Sequence, residues 1–169
     1  MTPIRDANEA DAARIAEIYG HYVQNTTVTF EIVPPTTEEI ARRIRDVQEK
    51  HVWLLAEEKG TVLGYAYAAS FKERAAYRFS AEITVYVDIH HSGKGIGSAL
   101  LEELLERLRH LGFVHAIGVI ALPNPGSVRL HEKFGFKKAA HFSGLGYKLG
   151  NWIDVGYWQK QIQPFFSDT

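Results

Sequence analysis

The chain has 169 residues, 46% of them hydrophobic and 23% charged, an ordinary globular composition that fits one domain with a core of usual size. Nineteen basic against twenty acidic side chains leave a net charge of −1, so no broad positive field exists to hold a nucleic-acid backbone. Cysteine is absent, which excludes disulfides, thiolate metal sites and a cysteine nucleophile together.

The opening run MTPIRDANEADAARIAEIY is acidic early and lacks an apolar core, so no secretory leader is expected. No apolar run approaches the roughly 20 residues of a membrane span. The expectation is a cytoplasmic protein with neither a membrane nor a nucleic-acid partner. Residues 2–7 (TPIRDA) suit a short strand. Asn8, three residues before Asp11, is placed to cap a helix carrying Ile15, Ile18, Tyr19 and Tyr22 at helical spacing. Residues 25–36 are β-branched and end in a double proline, which predicts an extended loop. Thr37 opens a second amphipathic helix with Ile40, Ile44 and Val47. HVWLLAEE and TVLGYAYAAS flank Lys59-Gly60 as a hairpin. FKERAAYRF (71–79) is a basic, aromatic connection without a clear period.

AEITVYVDI (81–89) alternates, with Ile83, Val85, Val87 and Ile89 on one face and Glu82, Thr84, Tyr86 and Asp88 on the other. HSGKGIGS follows, and then a helix whose apolar stripe is Leu101, Leu104, Leu105, Leu108 and Leu111, ended by Gly112. VHAIGVIAL (114–122) is another strand. Asn124 and Pro125 mark a helix start, and Gly135 lies past its last turn. Two further strands are expected over 138–147 and 152–161. The order predicts a single domain over 1–169, with one mixed α/β sheet and a tail from about 162.

A strand, a glycine loop and a helix start together make an anion site, because converging amides and the helix dipole favour a pyrophosphate. Neither the Walker spacing nor the dinucleotide G-x-G-x-x-G is matched. The loop instead resembles the acyl-CoA motif [Q/R]-x-x-G-x-[G/A] of the GCN5-related N-acetyltransferase (GNAT) superfamily, at Gly95 and Gly97. Ser92 stands where Gln or Arg is usual. NPGSVRLHEKFGF is similar to the second signature of that superfamily. FKERAAY, AEITVYV and GYKLGNWIDVGYWQ resemble the phosphinothricin and methionine sulfoximine N-acetyltransferase branch. The resemblance spans nearly the whole chain and implies a mostly antiparallel, splayed sheet flanked by helices.

It also implies acetyl-CoA as co-substrate and no metal. Val85, Tyr86 and Val87 would pair with the pantetheine arm, and backbone N–H near them would meet the oxyanion. Gly93, Lys94, Gly95, Ile96, Gly97 and Ser98 would hold the pyrophosphate, Asn124 the arm, and Lys133 with Lys94 the phosphates. An alkyl amine with pKa near 10 is only about one part in a thousand neutral at pH 7, so a base is needed. Glu82 takes that role. His131, where many relatives have Tyr, takes that of proton donor to the departing thiolate. Arg74 and Tyr77 would bind the anionic groups of a small amino-acid substrate, with Phe30 and Val155 as an apolar wall. A homodimer is expected from the same resemblance. The alternatives are acetyl transfer to a polyamine or protein N-terminus, or a non-catalytic acyl-CoA-binding module. His90-His91 are poor joint metal ligands, since adjacent strand residues face opposite ways. No serine has the G-x-S-x-G context of a hydrolase.

Overall fold

A computed structural model describes residues 2–167. Seven strands form one sheet in the order β1-β2-β3-β4-β5-β7-β6, where β1 is Ile4–Asp6, β2 Trp53–Glu58, β3 Thr61–Ser70, β4 Ser80–Val87, β5 His115–Leu122, β6 Lys137–Lys148 and β7 Asn151–Gln161. Every neighbouring pair is antiparallel except β4 with β5. Helices α1 (Ala12–Asn25) and α2 (Thr37–Gln48) cover one face around Ile15, Ile40, Ile44 and Leu55. Helix α3 (Ile96–His110) covers the other, burying Leu100, Leu101, Leu104, Leu105 and Leu108 against Leu54, Ala66 and Ile83. Each such leucine contributes about 1.5–3 kcal/mol by leaving water. Helix α4 (Pro125–Lys133) packs on the same side, where Val128 and Leu130 meet that core.

The single parallel pairing positions the site. β3 pairs with β4 through to Val87, but β5 pairs with β4 only over Ser80–Ile83. Beyond Ile83 the two strands diverge, and β5 continues alongside β7 as far as Leu122. The β5-facing edge of Thr84–Val87 therefore has no strand partner among the described residues, and a cleft opens there.

Three local expectations change. β4 stops at Val87 because the Asp88 side chain accepts from His90 N–H at 2.7 Å and turns the chain, which leaves Ile89 47% exposed instead of on the buried face. Leu111 falls after the last turn of α3 and is 54% exposed, so the stripe ends at Leu108. The expected tail begins attached: Ile162 is buried, its N–H donates to Val114 O at 2.8 Å, and Phe166 meets Phe79 edge-on. Residues 168–169 of that tail lie outside the described residues. No helix among the described residues is long and apolar enough to cross a membrane.

Candidate active site

The cleft has a volume of about 870 Å³ and is lined from the glycine loop and the splayed strands to Val28, Thr29 and Phe30. At the loop end, Gly93 and Gly95 hold φ of +78° and +80°, a conformation that side-chain-bearing residues avoid, with open space where a Cβ would point. Gly95 is the N-cap of α3 and supplies no side chain to cap it, so the first-turn amides of α3 stay available. Ser98 lies in that turn and accepts from Lys133 Nζ at 3.0 Å. Arg129, one helical turn before Lys133 on α4, also lines the cleft. These groups suit a pyrophosphate, since two cations face a helix start that has no anion of its own. Behind the loop, Arg14 of α1 pairs with buried Asp88, and Tyr22 donates to Val87 O at 2.5 Å. Helix α1 thus anchors the end of β4 where the loop begins.

Glu82 stands at the other end, three positions into β4 and opposite Ala69 of β3. Burial pushes its carboxyl above the ordinary carboxylate range, and Lys72 opposes that rise. Tyr67, Thr84 and Tyr86 line the cleft beside it. The β4 face that looked polar in sequence is covered by aromatic rings: Tyr86 packs 5.2 Å from Tyr19 and 5.0 Å from Tyr22. Burial raises both the Tyr67 and Tyr86 hydroxyls above their usual range, Tyr86 strongly, so both are neutral hydrogen-bonding groups.

His131 is buried, not on the surface of its helix. Its Nδ1 lies 2.8 Å from Ser127 O; a carbonyl only accepts, so Nδ1 carries the proton and Nε2 the lone pair. Nε2 has no hydrogen-bond partner among the described residues, and burial lowers the pKa against the pull of Ser127 O. This imidazole must take up a proton before it can give one. Its ring rests on β5 at Gly118, where a Cβ would fall 2.5 Å from Cδ2 and Nε2. Gly118→Ala is therefore expected to lower stability by about 1–3 kcal/mol through overpacking. The check is a urea midpoint that falls at unchanged slope, with partial recovery when His131→Ala opens the space.

The cleft collects Phe30, Glu82, Val85, Tyr86, Val87, Gly93, Gly95, Ile96, Gly97, Ser98, Asn124, His131, Lys133 and Val155 along its walls. Asn124 Oδ1 also caps α4 by accepting from Ser127 N–H at 3.2 Å. Lys94, Arg74 and Tyr77 are not among the lining residues. Arg74 and Tyr77 lie in the link between β3 and β4, the end of β4 nearest Glu82, and Tyr77 is exposed with its ring against Phe71. Arg129, His91, Tyr67 and Thr84 line the cleft without having been singled out. Arg129 had a legible signal, a second cation four residues before Lys133; Tyr67 had none, because only its pairing with Thr84 brings it there. No cluster of metal-ligating side chains occurs among the described residues.

A family profile for the acetyltransferase (GNAT) domain matches residues 4–156. The chain is 41% identical over 160 residues to a phosphinothricin N-acetyltransferase of Streptomyces viridochromogenes, covering 95% of this chain and 87% of the relative. It is 33% identical to an L-methionine sulfoximine/L-methionine sulfone acetyltransferase of Salmonella typhimurium, covering 94% of each. A solved phosphinothricin acetyltransferase from Sinorhizobium meliloti, in complex with acetyl-CoA, superimposes with a TM-score of 0.92 at 40% identity, covering 95% of this chain and 88% of that one.

Proposed function

The chain belongs to the GNAT acetyltransferase family, and from that premise we propose that it moves acetyl from acetyl-CoA directly to the α-amine of a small anionic amino acid of the phosphinothricin or methionine sulfoximine type. The observation that carries the reading is the cleft itself, with an uncapped helix start and two cations at one end and a half-buried carboxylate at the other. The substrate class rests on the relatives' activities and on the basic FKERAAY segment beside Glu82.

Bound acetyl-CoA supplies the acetyl group as a thioester. Amides of Gly93 to Ser98, with Lys133 and Arg129, hold its phosphates, and Asn124 with the free edge of Val85–Val87 holds its arm. Glu82 removes the ammonium proton, directly or through one water, so that the amine can attack. Backbone N–H on that same free edge supports the oxyanion, which the strand splay makes available by leaving the edge without a ladder. Once the amine has added to the carbonyl its nitrogen carries a second excess proton; His131 Nε2, with its lone pair, takes that proton and passes it to the sulfur as the C–S bond breaks. Arg74 and Tyr77 meet the substrate's anionic groups, and Phe30 with Val155 forms the apolar wall. Exposed Phe142, Leu145, Tyr147, Leu149 and Trp152 on the β6–β7 hairpin support a two-copy assembly.

A CoA-release assay over a panel of amines tests the reading. Phosphinothricin and methionine sulfoximine should exceed spermidine and a peptide N-terminus by about 100-fold or more in kcat/KM. Preference for the polyamine or peptide would replace the substrate class. Tight acetyl-CoA binding without turnover of any amine would make the protein a binding module.

A further inference from the structure

Val28, Thr29 and Phe30 line the cleft, although the 26–36 segment that carries them is neither helix nor strand. Such a wall would ordinarily be the most mobile part of a site. Here charged and aromatic groups hold it from three elements. Arg43 of α2 grips both oxygens of Glu31 at 2.7 and 2.9 Å. Tyr19 of α1 donates to the same carboxylate at 2.5 Å and lies 2.7 Å from Thr29 Oγ1. Lys148, the last residue of β6, donates from Nζ to Thr29 O at 2.8 Å. The Phe30 ring then lies directly on Gly146 of β6, with Cε2 only 2.3 Å from where a Cβ would stand.

Lys148 is the unexpected member. It is 5% exposed, and a buried ammonium is costly unless paired. Burial lowers its pKa, with Glu31 pulling the other way. An apolar side chain of similar length would fill the space without that cost. What such a side chain could not do is hold the Thr29 carbonyl and, through it, the Phe30 ring. Arg43 and Tyr19 fix the same segment through Glu31, two residues on, so Thr29 and Phe30 are held by both anchors.

We infer that Lys148 and Glu31 are positioning residues that clamp Thr29 and Phe30 into a fixed wall and so determine which amine side chains the cleft accepts. The inference rests on the reading that the Glu82 end receives the amine. Neither residue lines the cleft, so both act through the wall and not by touching substrate.

Lys148→Met tests it, with steady-state kinetics for phosphinothricin and for tryptophan as a bulkier amino acid. The KM for phosphinothricin should rise about tenfold while the KM for acetyl-CoA stays within about twofold, and discrimination against tryptophan should narrow. Lys148→Arg, which keeps the donor, should restore most of both. Glu31→Gln should give the same split and decides the matter if Lys148→Met does not fold. The two KM values rising in step, or discrimination unchanged, overturns the inference. Hydrogen exchange supplies a readout independent of activity: amides 28–31 should exchange faster in both variants, and unchanged exchange also overturns it. Wild-type protein inactive on every amino acid would instead sink the substrate reading alone.

Discussion

Glu82→Gln is expected to lower kcat/KM for the amine by about 10²–10⁴-fold, the usual worth of a positioned general base. The KM for acetyl-CoA should hardly move, since Glu82 sits at the far end of the cleft from the glycine loop. The substitution keeps shape and polarity and removes only proton affinity. The pH profile follows from the raised carboxyl pKa: as pH falls through that value Glu82 protonates, and wild-type activity drops on the acid side. The variant's residual rate should lose that limb. Stability moves the other way. A folded-state pKa above the unfolded value means that folding favours the protonated form. That contribution is fully present below the unfolded pKa and lost as pH rises through the folded one. Glutamine removes the burial cost of the charge, so thermal unfolding near neutrality should occur at or above the wild-type temperature. Wild-type turnover across pH would remove the carboxylate from the mechanism.

Gly95→Ala is expected to raise the KM for acetyl-CoA by about tenfold, because a left-handed residue with a Cβ costs about 1–2 kcal/mol, and 1.4 kcal/mol is a factor of ten. Gly95 holds φ +80° and ψ 0° as it leads into α3. If the loop relaxes to relieve strain, the amides that follow rotate away from the site they share. The KM for the amine should be unchanged, because the loop lies at the opposite end from Glu82. Calorimetry is the direct check. Acetyl-CoA affinity equal to wild type would show that the amides at the start of α3 do not carry the phosphates.

The two substitutions probe opposite ends of one cleft, so their effects on the two substrates should separate. Their sites were also legible to different degrees. Gly93, Gly95 and Gly97 stand out locally, because a glycine-rich turn before a leucine-striped helix has few other uses. Glu82 stands out only as a polar position in an alternating strand. The cleft around it also takes its walls from Tyr67 and from Val28–Phe30, which are distant in the chain. His131 is singled out by its place in LHEK, but its burial against Gly118 appears only once β5 passes beneath it. The Ile89 and Leu111 expectations failed for a shared reason: a period continues in the letters after a cap or helix end has turned the chain away from the core.

Local sequence alone determined the element order, most of the buried stripes and the glycine turn before α3, because hydrophobic period, caps and glycine conformations act over a few residues. Only the tertiary structure decided where β4 and β5 part, which face of α4 is buried, and that Lys148 reaches across to Thr29. Strand splay depends on what β7 and α4 place beside β5. A burial cost exists only once distant segments exclude water, so no short window of residues contains either.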